Sequence, residues 1–163
     1  WDAVCSEKSY HYAWQAAISV SVILDRNENS NLEERLTWVK KHPHPNLTLV
    51  VTVDEDNIDY RVFLMRTFKR DIQHGALVVF VFKSDMHGRE YLLRLLSIVK
   101  TDWLLFSCSE LWSHPGSLQV QLKRIARDPT QKILNESLAI WRHDFCFTDT
   151  GLALLSSWHE KYY

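Results

Sequence analysis

The chain has 163 residues, the size of one domain, and a net charge of −1 with histidine neutral. Its 46% apolar and 24% charged residues are ordinary for a globular protein, and the near-zero balance argues against a nucleic-acid binder working through bulk electrostatics. Four glycines and four prolines leave no collagen-like, low-complexity or linker segment, and no stretch approaches the roughly 20 apolar residues of a membrane span.

The first 15 residues, WDAVCSEKSYHYAWQ, show no clean period and read as an irregular lead-in to a single domain over 1–163. AAISVSVIL (16–24) is an apolar, β-branched run of strand length ending at Asp25. After a polar loop, Asn31 is placed to N-cap a helix over 32–41, with Leu32, Leu36 and Val39 repeating on one face. HPHPN stops that helix, since proline cannot continue it. The alternating prolines make His42 and His44 a stiffened turn rather than a metal pair; His114, His143 and His159 are scattered and read as no ligand set.

The unit then repeats. LTLVVTV (47–53) is a second strand that ends in Asp54, Glu55 and Asp56. A helix over 58–72 follows, with Val62, Met65 and Phe68 near one face, and Gly75 turns the chain into a third strand over 76–82 ending at Lys83, Ser84 and Asp85. The helix over 89–99 places Leu92, Leu95, Leu96 and Val99 at i, i+3, i+4, i+7 spacing. A fourth strand over 103–107 runs out into Cys108, Ser109 and Glu110. The pattern predicts a helix entered through Pro115 and closed before Pro129, an extended segment QKILNESLAIW, and a terminal helix GLALLSSWHEKYY.

Continuously apolar strands alternating with amphipathic helices imply an α/β fold, a three-layer Rossmann-like sandwich around a mostly parallel sheet. Ligands of such sheets bind outside the carboxyl ends of the strands. Here those ends carry Asp25, Asp54, Glu55, Asp56, Asp85 and Glu110, the polar rim on which a site is expected. Several chemistries are excluded by motif. No G-x-G-x-x-G follows a strand, and G-x-x-x-x-G-K-[ST], G-x-S-x-G and C-x-x-C are absent, as is H-x-E with a downstream P-C-x-x-C.

The order of elements resembles the nucleotide-binding portion of a GT-A glycosyltransferase of the family 2-like type, over roughly residues 17–128. SVILDRNENSNLEERL, LTLVVTVDED and REYLLRLLSIVKTDWLLF follow the family's arrangement, as does LWSHPGSLQVQLKRIARDP after it. The resemblance implies that Asp25, Asp54, Asp56 and Asp85 line a nucleotide site. It further implies a carboxylate pair after the fourth strand holding Mn or Mg across the diphosphate of a nucleotide sugar. Cys108-Ser109-Glu110 departs from that pattern, leaving Glu110 as the one metal-binding carboxylate; a neutral thiol is a poor ligand for a hard cation. Asp144 and Asp149 are the candidates for the catalytic base, and the chain is short for a complete enzyme of this type.

The reading is therefore a glycosyltransferase-like domain, divergent or catalytically inactive, that takes a nucleotide sugar with Mn or Mg, or no cofactor at all. The alternative is a non-catalytic Rossmann-like module that contacts another protein or another domain of its own chain. Aromatics crowd both ends for such a contact: Trp1, Tyr10, Tyr12 and Trp14 at one, Trp158, Tyr162 and Tyr163 at the other. A flavodoxin-like phospho-acceptor is a third option, on Asp25 and Asp85, but lacks an acidic pair at the first strand end. Sequons at Asn46 and Asn135 point to the secretory lumen or the extracellular space. Cys5, Cys108 and Cys146 suit one bridge plus a free thiol there. The chain opens on Trp1 without an initiator Met, as a processed product or an excised fragment does, so a missing targeting signal carries no weight.

Overall fold

Four apolar runs pair in parallel as β1 (Val20–Ile23), β2 (Leu47–Asp54), β3 (Leu77–Phe82) and β4 (Trp103–Phe106). The computed structural model describes residues 17–24, 31–135 and 138–163. Within them β5 (Ile133–Asn135) and β6 (Ala139–Arg142) complete a six-stranded sheet of order β3-β2-β1-β4-β6-β5. Val20 sits opposite both Leu47 and Trp103, so β1 is the shared partner of β2 and β4. β6 runs antiparallel to β4 and β5.

Parallel strands need a covering layer on each face, because every connection must cross back over the sheet. One face receives α1 (Leu32–Lys41), α2 (Ile58–Thr67) and α6 (Pro115–Arg127). Leu36, Leu64 and Leu122 of these helices join Val20, Val22, Leu49 and Val51 in one core. The other face receives α4 (Gly88–Ile98) and α8 (Asp149–Tyr162), whose Leu92, Leu95, Leu152 and Leu155 pack with Ile23, Val50, Phe80 and Leu104. Val22 and Ile23 thus serve opposite cores, as strand alternation demands. The fold is a mostly parallel α/β sandwich compatible with a Rossmann-like class.

Short elements bridge the rest: α3 (Lys69–Gln73), α5 (Ser109–Ser113) and α7 (His143–Cys146). Gly75 takes a φ of 78° to turn the chain from α3 into β3, a conformation that glycine adopts without strain. Gly151 meets a different demand: a Cβ there would lie 1.9 Å from the Phe145 carbonyl oxygen, so only glycine lets α8 start this close to α7.

Several expectations are corrected. The helix expected over 58–72 is two helices that break at Phe68, and its buried face is Leu64 with Phe68, leaving Val62 and Met65 exposed. Asn31 occupies the N-cap position of α1 but makes no capping bond. The extended segment expected before the terminal helix is present, as the antiparallel strands β5 and β6. Of the terminal aromatics, Trp158 packs on Phe106 and Trp141, Tyr163 packs on Phe106, and Tyr162 touches Trp158 while remaining 63% exposed, so the three rings pack on the sheet and on each other. Trp1, Tyr10, Tyr12 and Trp14 lie outside the described residues.

The proline-flanked histidines prove to be structural. The His44 backbone amide donates to His42 Nδ1 at 3.0 Å, and the His44 ring meets the Ile18 carbonyl through Nε2 at 2.5 Å. Together they tie the end of α1 to the entry of β1. Burial pushes both imidazoles below their ordinary value, more than the backbone contacts of Pro115 and Ile18 raise them. A lowered histidine is neutral in the fold while the unfolded chain takes up its proton near pH 6.5. The associated stability is fully present above about pH 6.5 and is lost as pH falls through the folded-state values. Melting temperature should accordingly hold steady from about pH 8 to 7 and drop from about pH 6.5 to 5; a rise over that lower window would contradict the buried neutral pair.

Candidate functional site

In a doubly wound sheet the crevice opens where the strand order reverses, here between β1 and β4 at their carboxyl ends. Neighbouring strand ends supply the polar groups of that rim. Asp54 closes β2, and its Oδ1 accepts from the Asp56 amide at 2.9 Å and from the Ser84 hydroxyl at 2.8 Å. Ser84, just past β3, also lies 2.7 Å from Asp56 Oδ2. The single Ser84 hydroxyl hydrogen is shared between the two carboxylates, which makes this spot rich in acceptors. Asp85 is exposed on the same edge, with its carbonyl accepting from His87 Nδ1 at 2.7 Å. Asn57 caps α2 by accepting from the Tyr60 amide, which fixes the loop that presents Asp54 and Asp56.

At the end of β4 the chain is held more tightly. The Ser107 amide donates to the Ile23 carbonyl, and the Tyr163 phenol donates to the Ser107 carbonyl at 2.5 Å, pinning the end of α8 to the rim. Cys108 is half-buried at the N-cap of α5. Glu110 follows in the first turn, yet its carboxylate turns towards α6: Oε1 accepts from the Ser117 hydroxyl at 2.9 Å, and Oε2 lies 3.3 Å from His114 Nδ1.

A hard divalent cation wants several oxygen ligands converging on one point. The residues here do not fit it. Glu110 is engaged by His114 and Ser117 at the start of α6, its companion is a thiol, and no group of three His, Cys, Asp or Glu side chains among the described residues is placed to hold a metal. Asp25 lies outside the described residues.

Asp144 and Asp149 are not brought to this rim. β6 is antiparallel to β4, so the residues after it emerge beside Asp102 at the amino edge, where the His143 amide donates to the Asp102 carbonyl. Asp144 is 70% exposed and paired with Arg142 Nε at 3.0 Å. Asp149 begins α8, whose 14 residues span about 21 Å and carry the chain back to Ser107. A cavity of about 400 Å³ does lie at that amino edge, lined by Lys100, Asp102, Arg142, His143 and Asp144. Its polar groups largely serve each other: Arg142 also donates to the Pro129 carbonyl, and the His143 ring contacts the Leu96 carbonyl. Carboxyl-end crevices are the usual ligand sites of such sheets, which favours the opposite rim.

Asn46 and Asn135 are both exposed, Asn46 just before β2 and Asn135 at the end of β5; Ser137 of the second sequon lies outside the described residues. No described helix is long and apolar enough to cross a membrane. Sequence reasoning missed the roles of Ser84, Ser117 and Tyr163. Ser84 stood in a quoted strand end, whereas Ser117 and Tyr163 act through tertiary contacts without a local signal.

No protein-family model matches the chain, and no curated protein sequence matches it.

The two described thiols offer a check on the rim. Cys146 is fully buried and pushed up to about 12, by burial first and by the Asp144 charge second, whereas Cys108 is half-exposed. Alkylation of the native chain followed by peptide mapping should modify Cys108 at least roughly tenfold faster than Cys146, since reactivity follows thiolate content and access. Equal rates would contradict the placement of β4 and α7.

Proposed function

We propose that this chain is a GT-A-like domain, divergent or catalytically inactive, that binds the nucleoside end of a nucleotide sugar at the carboxyl rim without a metal ion. The observation that carries the proposal is the pairing of Asp54 and Asp56 across the single Ser84 hydroxyl, at the β2–β3 end of the same carboxyl rim as the β1–β4 reversal. Carboxylate oxygens on an exposed rim suit ribose hydroxyls and base N–H groups, which are donors. Parallel strands in the order 3-2-1-4 support a nucleotide fold. The engaged Glu110, the thiol of Cys108, and the remoteness of Asp144 and Asp149 favour binding over transfer. Exposure of Asn46 and Asn135 accords with a secretory-lumen or extracellular home. A protein-interaction module is favoured by one separate observation, the uncovered face of α2.

Calorimetry with uridine and guanosine diphosphates and their sugar conjugates, with and without Mn²⁺, tests the proposal. Binding should be indifferent to Mn²⁺ and to Glu110→Gln. Asp54→Asn or Asp56→Asn should weaken it roughly tenfold, the worth of one charge-assisted hydrogen bond. No binding at millimolar ligand, or binding that requires both Mn²⁺ and Glu110, would overturn it.

A further inference from the structure

α2 leaves an apolar surface that the rest of the described chain does not cover. Only Leu64 of this helix is buried, while Ile58, Val62, Phe63 and Met65 are 60%, 42%, 52% and 50% exposed. Ile58, Val62 and Met65 follow i, i+4, i+7 spacing and form one stripe. Asp59 and Arg66, seven residues apart, lie along the same side, and neither has an ion-pair partner among the described residues. The charges sit where the helix dipole favours them. They also make the surface self-complementary: an antiparallel copy of α2 sets Asp59 against Arg66 at both ends, with Val62 and Phe63 between.

The sheet edge beneath α2 allows that arrangement. β3 is the outermost strand on its side, and no described strand pairs with its outer edge. The Ala76 and Phe82 carbonyls accept from Leu49 and Glu55. By the two-residue period, Leu77, Val79 and Val81 then turn their amides and carbonyls outward. β3 holds no charge and no proline, the usual devices that blunt an open edge.

We propose that two copies of this chain associate through β3 and α2 about a two-fold axis perpendicular to the sheet. Antiparallel pairing of β3 with β3 keeps both α2 helices on the same face, side by side and antiparallel. That is the orientation in which Asp59 of one copy meets Arg66 of the other. Ile58, Val62, Phe63 and Met65 form a contiguous exposed apolar patch, the kind of surface that marks an interaction site. A standard interface buries about 800 Å² per partner, so helix and strand edge contribute together.

Sedimentation velocity on the 163-residue chain, with circular dichroism to confirm folding of each variant, tests the proposal. The unaltered chain should be dimeric at micromolar concentration. Asp59→Arg and Arg66→Asp, each alone, place like charges opposite each other and should weaken the dimer roughly tenfold. An equimolar mixture of the two variants restores opposite charges across the pair and should recover the dimer, which a folding defect could not do. A monomeric unaltered chain, a dimer insensitive to both variants, or a mixture that stays monomeric would each overturn the proposal. Nucleotide affinity is read separately, so failure here leaves the carboxyl-rim reading untouched.

Discussion

β1 pairs in parallel with β2 on one side and with β4 on the other, and its four residues are buried throughout. Parallel neighbours cannot be joined by a tight turn, so each link must be a helix crossing a face. Helices therefore cover both faces of the central strands, and each interior residue of β1 packs on a helix layer. Burial of a Val or Ile side chain contributes about 1.5–3 kcal/mol, and Val20, Val22 and Ile23 lie at 0–1% exposure. The same pairing sends the carboxyl ends of β1 to β4 to one edge and reverses the strand order there. Substituting a polar residue at Val22 would unmake the core, the crossings and the rim together.

That rim is chemically lopsided. On the β2–β3 side, Asp54, Asp56 and Ser84 form an acceptor-rich spot held by a capped helix start. On the β4 side, the groups are already committed: Tyr163 holds Ser107, and Ser117 with His114 holds Glu110. The acceptors of the β2–β3 side are exposed at the rim, while those of the β4 side are taken up by contacts within the fold.

The parallel strands were legible because a strand buried on both faces must be apolar at every position, and such runs stand out among polar loops. The covered face of α2 was not. Val62 and Met65 fit the helical period as well as Leu64 and Phe68 do, and only the sheet margin decides which stripe is covered. Nor was the direction of β6 legible. Its four residues read as extended in either sense, yet antiparallel pairing sends Asp144 to the amino edge and sets Asp149 at the far end of α8 from Ser107. Asp54 and Asp56 were found because position after a parallel strand already dictates the edge. Glu110 was found in place but not in state, since its partners come from the next helix.

Backbone amide mapping by nuclear magnetic resonance, on titration with a nucleoside diphosphate, tests the central claim most directly. The account predicts perturbations gathered at Asp54 to Asn57, Ser84 and Asp85, and Ser107 to Ser109, the residues of the carboxyl rim. Perturbations confined to Lys100 to Trp103 and Arg142 to Asp144, or none at saturating ligand, would contradict it.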